Sequence, residues 1–417
     1  MDKKKIEANK KGSGNAASLI KRITGNQLFI PIMAIVLLAL INLIAGPSFF
    51  RVKLINNNDG NPQFSGSLIT ILDYGSELAI LAIGMTLVTA ASGGQDISVG
   101  ATIAIAGSAM LRILCGSNQH PETLKAPIIV AFLVACLVGM LCGAFNGALV
   151  AIFKIQPMIA TLIMFTAGRS IAAWINSNRL PIVPGKEFKY FGGVIPGIPI
   201  PTTVFIVIIC IIAIALALKF TNLGLYTQAV GINEKSARLN GINPILIKFL
   251  AFVILGLCVA VAALIKVSRI SSINYNVIAK DIEMDAILAV ALGGNALSGG
   301  KFNMWASILG AYVIQFLTTT LYRFHIQSDA LAAYKAVVVI LLVLFSAPKV
   351  REVISGLIKK IFSGSKGNNG KKTLTALAAA GAAEGAGTDA FDEVSVSEDA
   401  VSTSEEESDS KKEEAVQ

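Results

Sequence analysis

Few side chains in this sequence can do chemistry, and they are of two kinds: neutral hydrogen-bonding groups set in apolar runs, and one polar segment punctuated like a very short helix. Asn146, Gln156, Thr161, Gln315 and Thr319 put donors and acceptors inside or at the ends of apolar runs. Such groups can line a path for a polyhydroxylated solute, and they serve equally as hydrogen bonds between packed helices. Asp96 is an acid between apolar segments, where an ionised group is costly and must face protein or water. It stands ahead of a helix expected to begin at Ile97, the position of an N-cap, with direct contact to a solute as the alternative. Asp285 opens an apolar run at 284 and is read the same way.

No catalytic constellation emerges from this inventory. GGNALSGGK at 293 to 301 has the outline of a phosphate-cradling loop, but a Walker A motif needs Gly where Asn295 stands and Ser or Thr where Phe302 stands. No nucleophile is set beside a base. The five cysteines lack CxxC spacing, and His120 and His325, both in expected external loops, lie far apart, so no disulfide framework, metal or cofactor is indicated. An ion-coupled secondary transporter of a small polar solute is the main rival reading. It would keep paired or relayed acids in its membrane core, whereas the clear acids here stand at helix starts.

The polar segment runs from Lys219 to Lys248 and contains GLYTQAVGINEKSARLNGINP. Asn233 is a good N-cap, Glu234 sits where the helix dipole favours an acid, and Arg238 lies near the C-terminal end. Gly241 suits the left-handed C′ position and Pro244 blocks continuation. The spacing predicts a helix of about two turns. So short a helix is marginal alone and needs a surface to dock on; Ala237 leaves its own surface low enough to enter a groove. A connecting helix lying on the membrane surface would share this local chemistry.

The elements that position these groups follow from composition. The 417 residues are 54% hydrophobic and 15% charged, with mean hydropathy +0.68, against roughly 25% charged residues in an ordinary soluble domain. Apolar runs lie near 28 to 46, 78 to 92, 97 to 114, 127 to 153, 155 to 175, 203 to 218, 245 to 265, 284 to 297, 304 to 322 and 331 to 347. Their lengths and lack of alternation predict an all-α, polytopic transmembrane bundle of about ten helices, some of them broken. The runs at 78 to 92 and 284 to 297 are short enough for incomplete or re-entrant spans.

Lys3, Lys4, Lys5, Lys10, Lys11, Lys21 and Arg22 precede the first run, and Lys349, Arg351, Lys359 and Lys360 follow the last. By the positive-inside rule both ends are cytoplasmic and the number of spans is even. The first run begins late and is followed by Gly46 and Pro47 rather than a cleavage pattern, so it is expected to stay as an anchor. The chain divides into a basic arm at 1–25, a membrane body at 26–348 holding the 219–248 loop, and a basic then acidic tail at 349–417; both ends are too poor in bulky apolar groups to fold alone. The net charge of +9 arises from Lys and Arg that flank helices, so anionic headgroups are the expected partner, not nucleic acid.

By the same parity the long loops Pro47 to Gly66 and Asn176 to Pro201 are external, and five prolines forbid regular helix in the second. Asp73 and Glu77, four apart on a helix that continues into the second span, mark its water-facing stripe near that surface. Trp174, Trp305 and Tyr312 suit bilayer anchors. GGQDISVG at 93 to 100 and GGNALSGG at 293 to 300 share a Gly-Gly-amide pattern between apolar runs, and paired helix breaks often mark a transport path. That puts Asn295 beside Asp96 among the path candidates, although both breaks fall on the cytoplasmic side, unlike an inverted repeat.

From about Ser65 to Pro348 the sequence resembles the membrane subunits of ribose-type and, more closely, galactofuranose-type ABC sugar importers. The resemblance rests on GMTLV at 84 to 88, GGQDISVGA at 93 to 101, KIQPMIATLI at 154 to 163, GINEKSARLNGIN at 231 to 243, MDAILAVALGGNALSGGKFN at 284 to 303 and YKAVVVILLVL at 334 to 344. Gln95 stands where the family usually has an apolar residue, and TAAS at 89 to 92 is one residue longer than its usual counterpart. The resemblance implies a type II importer permease in a bacterial plasma membrane. It would pair with a second permease, bind a cytoplasmic ABC ATPase subunit and receive a monosaccharide from an extracytoplasmic sugar-binding protein. It also implies that the segment matching Gly231, Asn233, Glu234, Ala237 and Gly241 contacts the ATPase.

Overall fold

The structure, a computed structural model, describes residues 28–56 and 62–346. The expected basic arm at 1–25 and tail at 349–417 lie outside the described residues, as does all of a second compact unit, Arg351–Gln417.

Each of the ten expected apolar runs is a helix. Among the described residues six are long and apolar enough to cross a membrane: α2 (Ser67–Ser92), α4 (Ile128–Ala151), α5 (Pro157–Ile175), α6 (Thr202–Thr221), α9 (Pro244–Ile270) and α11 (Met304–Arg323). α1 (Phe29–Ala45) and α3 (Val99–Cys115) have 17 residues each, and α12 spans Ser328–Ser346. α10 (Ile282–Leu292) has only 11 residues, about 16 Å of helix. That is shorter than the roughly 30 Å of a hydrocarbon core, in keeping with the short run read from sequence. The other short run is no incomplete span: it is the end of α2, whose 26 residues include Asp73 and Glu77, as expected of a helix continuing into that run.

α2 and α11 are the central helices, and α4, α5 and α6 turn apolar faces outward. On α4, Leu133, Leu137 and Leu141 form an exposed stripe at helical spacing, the face a lipid tail would meet. Where helices meet each other, small residues bring backbones together, since apolar burial gives no advantage in lipid. A close seam joins α4 to α9: a methyl group on Gly256 would overlap the carbonyl oxygen of Gly139, and one on Gly143 would overlap that of Phe252. α2 also packs on α9, with Gly84 against Leu255.

The loop Pro47 to Gly66 carries a 3-10 turn (Pro47–Phe50) and an antiparallel hairpin of β1 (Lys53–Asn56) and β2 (Pro62–Ser65). Phe64 N–H donates to the Pro199 carbonyl at 3.0 Å, joining it to the proline-rich loop. That second loop holds a 3-10 turn at Phe188–Phe191 and no α-helix, as its prolines require.

The two glycine breaks touch. Gly93, in the left-handed conformation with φ 67°, ends α2. Gly300 N–H donates to the Ala90 carbonyl at 3.1 Å, and Gln95 Nε2 donates to the Leu297 carbonyl at 3.1 Å. Both breaks therefore lie at one end of the bundle. Gln95, anomalous by resemblance, is the side chain that ties one break to the other.

Candidate functional site

At the end of the bundle holding the breaks, the 219–248 segment is more helical than its sequence suggests. α7 (Leu223–Ile232) precedes the expected short helix, α8 (Glu234–Leu239). The caps of α8 are as read from sequence. Asn233 Oδ1 accepts from the backbone N–H of Lys235 at 3.0 Å and of Ser236 at 3.1 Å, and Gly241 takes φ 81°. Glu234 does more than complement the dipole: its carboxylate accepts a 2.6 Å hydrogen bond from Lys248 Nζ on α9. That bond, with the charges of Lys248, Arg238 and Lys154, holds the Glu234 carboxyl below its ordinary 4.5 against the opposing effect of partial burial.

Two expectations about this segment need correction. Ala237 is buried against the protein's own body, so it is not the low surface offered to a groove; Leu239, 89% exposed, is the apolar side chain that projects outward. Gly231 is turned inward: a Cβ there would overlap the Ala90 carbonyl and lie 2.6 Å from the Gly300 nitrogen. Its small size is needed for contact with the two breaks. Arg238 is exposed and lines an open cavity of about 770 Å³ with Lys154, Gln156, Glu234, Lys235 and Lys248. Four cations face one acid there. Gln156 lies exposed in the connection before α5 and shares this cavity with α8.

Four of the other expected path residues are braces of the breaks. Asp96 is two residues ahead of α3's N-cap, Ser98, and not itself the cap. Its Oδ1 accepts from Ser98 N at 2.8 Å and from Ser98 Oγ at 2.6 Å. Asn146 Nδ2 donates to Ser98 Oγ at 2.8 Å and to Asp96 Oδ2 at 3.3 Å. Thr161 Oγ1 accepts from Ile97 N at 3.2 Å and donates to the Pro157 carbonyl at 3.0 Å. Asn295 clasps the second break, accepting from Asn303 N at 2.7 Å and donating to Ser307 Oγ at 2.7 Å. All four are buried.

Gln315 and Thr319 line a second cavity. It measures about 480 Å³ and lies toward the other end of the bundle, between α2, α9, α10, α11 and α12. Thr70, Tyr74, Thr318 and Tyr322 add further hydroxyls.

The charged lining is what sequence reading missed. Asp73 and Glu77 are not a water-facing stripe; Glu77 is 4% exposed. Lys266 Nζ lies 2.8 Å from Glu77 Oε1, and Arg269 bridges Glu77 at 3.3 Å and Asp73 at 3.0 Å. Thr203 Oγ1 donates to Asp73 at 2.7 Å, and the Arg269 guanidinium stacks 4.0 Å from the Tyr74 ring centre. Asp285 is no cap either: it pairs with Lys335 of α12 at 2.8 Å. Charges at these depths are stable only when paired. The partners are 50 to 196 positions apart, so no local pattern signals them.

Trp174 and Trp305 are exposed, as anchors would be, whereas Tyr312 packs its ring on Gly75 inside the bundle. The cavity thus offers hydroxyls, an amide and paired charges, a lining able to hold a hydroxylated solute through hydrogen bonds.

Comparison with known proteins gives this geometry its context. A family profile described as branched-chain amino acid transport system / permease component matches residues 67–347. The fructose import permease protein FruF of Bifidobacterium longum is 34% identical over 84% of this chain and 95% of its own length. The galactofuranose transporter permease protein YtfT of Escherichia coli is 36% identical over 78% and 91%, respectively. The ribose import permease protein RbsC of the same organism is 34% identical over 76% and 92%. No solved structure matches. A profile spanning two thirds of the residues, and relatives matched over nearly their full lengths, establish that this multi-pass membrane protein belongs to the branched-chain amino acid transport system / permease component family.

Proposed function

We propose that this chain is the membrane permease subunit of an ABC importer and translocates a monosaccharide such as fructose, galactofuranose or ribose. The observation that carries the reading is the hydroxyl-lined cavity at one end of the bundle, in a chain whose relatives import those sugars. The chain itself is not an enzyme. Energy comes from a separate cytoplasmic ATPase that grips α8, and sugar arrives from an extracytoplasmic binding protein resting on the loops 47–66 and 176–201. A second permease, identical or similar, completes the path across a bacterial plasma membrane, with both termini cytoplasmic.

In this mechanism closure of the ATPase draws the α8 helices of the two permeases together. The motion rocks the bundles from outward to inward opening, and no covalent step occurs in this chain. Uptake into vesicles tests it. Accumulation of labelled sugar should require the ATPase and ATP; accumulation by this chain alone under an ion gradient would overturn it in favour of a secondary transporter.

A further inference from the structure

Building on that reading of the cavity, we infer that two ion pairs, Asp285–Lys335 and Glu77–Lys266, read vicinal hydroxyls of the sugar and so set which monosaccharide the permease passes. One pair joins α10 to α12 and the other joins α2 to α9, and all four side chains line the same cavity. α11 packs against both α2 and α10 and presents Gln315 and Thr319 to the space between.

The chemistry follows from what each pair leaves unused. A carboxylate accepts about four hydrogen bonds and an ammonium donates three. Lys335 Nζ contacts both oxygens of Asp285, at 3.1 and 2.8 Å, which leaves one N–H and further lone pairs. Glu77 accepts Lys266 on one oxygen and Arg269 on the other, with a lone pair spare on each. A hydroxyl both donates and accepts, so two adjacent hydroxyls can bridge the carboxylate and ammonium of one pair. Asp285–Lys335 is neutral as a pair and Glu77 is balanced by Lys266 and Arg269, with Asp73 completing that cluster, so both offer hydrogen bonds to an uncharged polyol; Lys280 adds one further cation to the lining.

A purely structural role accounts poorly for this placement. Ion pairs are a costly way to join helices, and apolar packing of similar volume does so at least as well. The buried side chains Asp96, Asn146, Thr161 and Asn295 bond to the helix breaks and are not in the cavity lining, whereas these charges are at its wall with side chains 5 to 23% exposed.

The test compares uptake of the parent sugar with its mono-deoxy analogues, using D-fructose, D-ribose and D-galactose as probes and the same ATPase and binding protein throughout, so that any change in selectivity belongs to the permease. The double variant Asp285→Asn with Lys335→Gln removes both charges and leaves neither unpaired. Expected is a loss of roughly 10-fold for the parent but under 2-fold for the analogue lacking the hydroxyl that is read, so the discrimination ratio narrows. Equal losses for both, or no loss, would overturn the inference. Should the double variant be absent from the membrane, Lys335→Arg keeps the pair while replacing a point charge with a planar fork; a discrimination ratio unchanged within 2-fold then overturns it. Failure of wild-type protein to take up any probe sugar with ATP would count against the importer reading instead.

Discussion

Gly231, next to last in α7, lies against the carbonyl oxygen of Ala90 near the end of α2, with no room for a methyl group between them. The residue that leads into α8 therefore rests directly on the helix whose other half lines the cavity of about 480 Å³. Gly231→Ala must push these backbones apart. Expected is a loss of at least 10-fold in sugar uptake while the ATPase still assembles with the membrane subunit and hydrolyses ATP. Uptake and hydrolysis measured on the same vesicles check this, and a variant that transports normally would refute it.

The Glu234 to Lys248 pair makes a pH prediction. Lys248 holds the Glu234 carboxyl below 4.5, so folding favours the ionised acid. The contribution is whole above 4.5 and is lost as pH falls through the lower folded value. Glu234 is 40% exposed, so screening limits the pair to roughly 0.2–1 kcal/mol. Hydrogen exchange of the α8 amides should be unaltered by the pair between about pH 5 and 8 and should lose protection below that range. Glu234→Gln should speed it at pH 7 by no more than about 5-fold. Protection that increases on acidification would contradict the assignment.

The cluster around Arg269 makes an ordered stability prediction. Glu77 is the more buried acid and faces two cations, whereas Asp73 shares only Arg269. Glu77→Gln should cost roughly 3–5 kcal/mol, because an uncompensated charge remains buried. Asp73→Asn, which leaves Glu77 to balance Arg269, should cost less. Thermal unfolding of the purified protein in detergent tests the order, and the reverse order would show that Asp73 carries the cluster.

What the sequence made legible was what it encodes locally. The apolar runs mark every helix of the bundle, and the caps of α8 follow from Asn233, Gly241 and Pro244, whose partners lie within a few positions. The helix through Asp73 and Glu77 was legible but their burial was not, because they look solvated until Lys266 and Arg269, almost 200 positions later, are folded against them. The cavity was half legible: Gln315 and Thr319 have suitable chemistry, but so do Asn146 and Thr161, and only helix rotation separates lining from brace. The inward turn of Gly231 and Ala237 was hidden for the same reason, since sequence gives the size of a residue but not its facing.

α9 holds Lys248 against α8 at its start and Lys266 and Arg269 against the cavity wall near its end, a helix of 27 residues and about 40 Å. Because Gly139, Gly143 and Gly256 fuse it to α4 backbone to backbone, the two behave as one stiff spar. On the proposed reading, a displacement of α8 would be carried along that spar to the cavity wall, making the grip of the motor and the hold on the cargo opposite ends of a single lever.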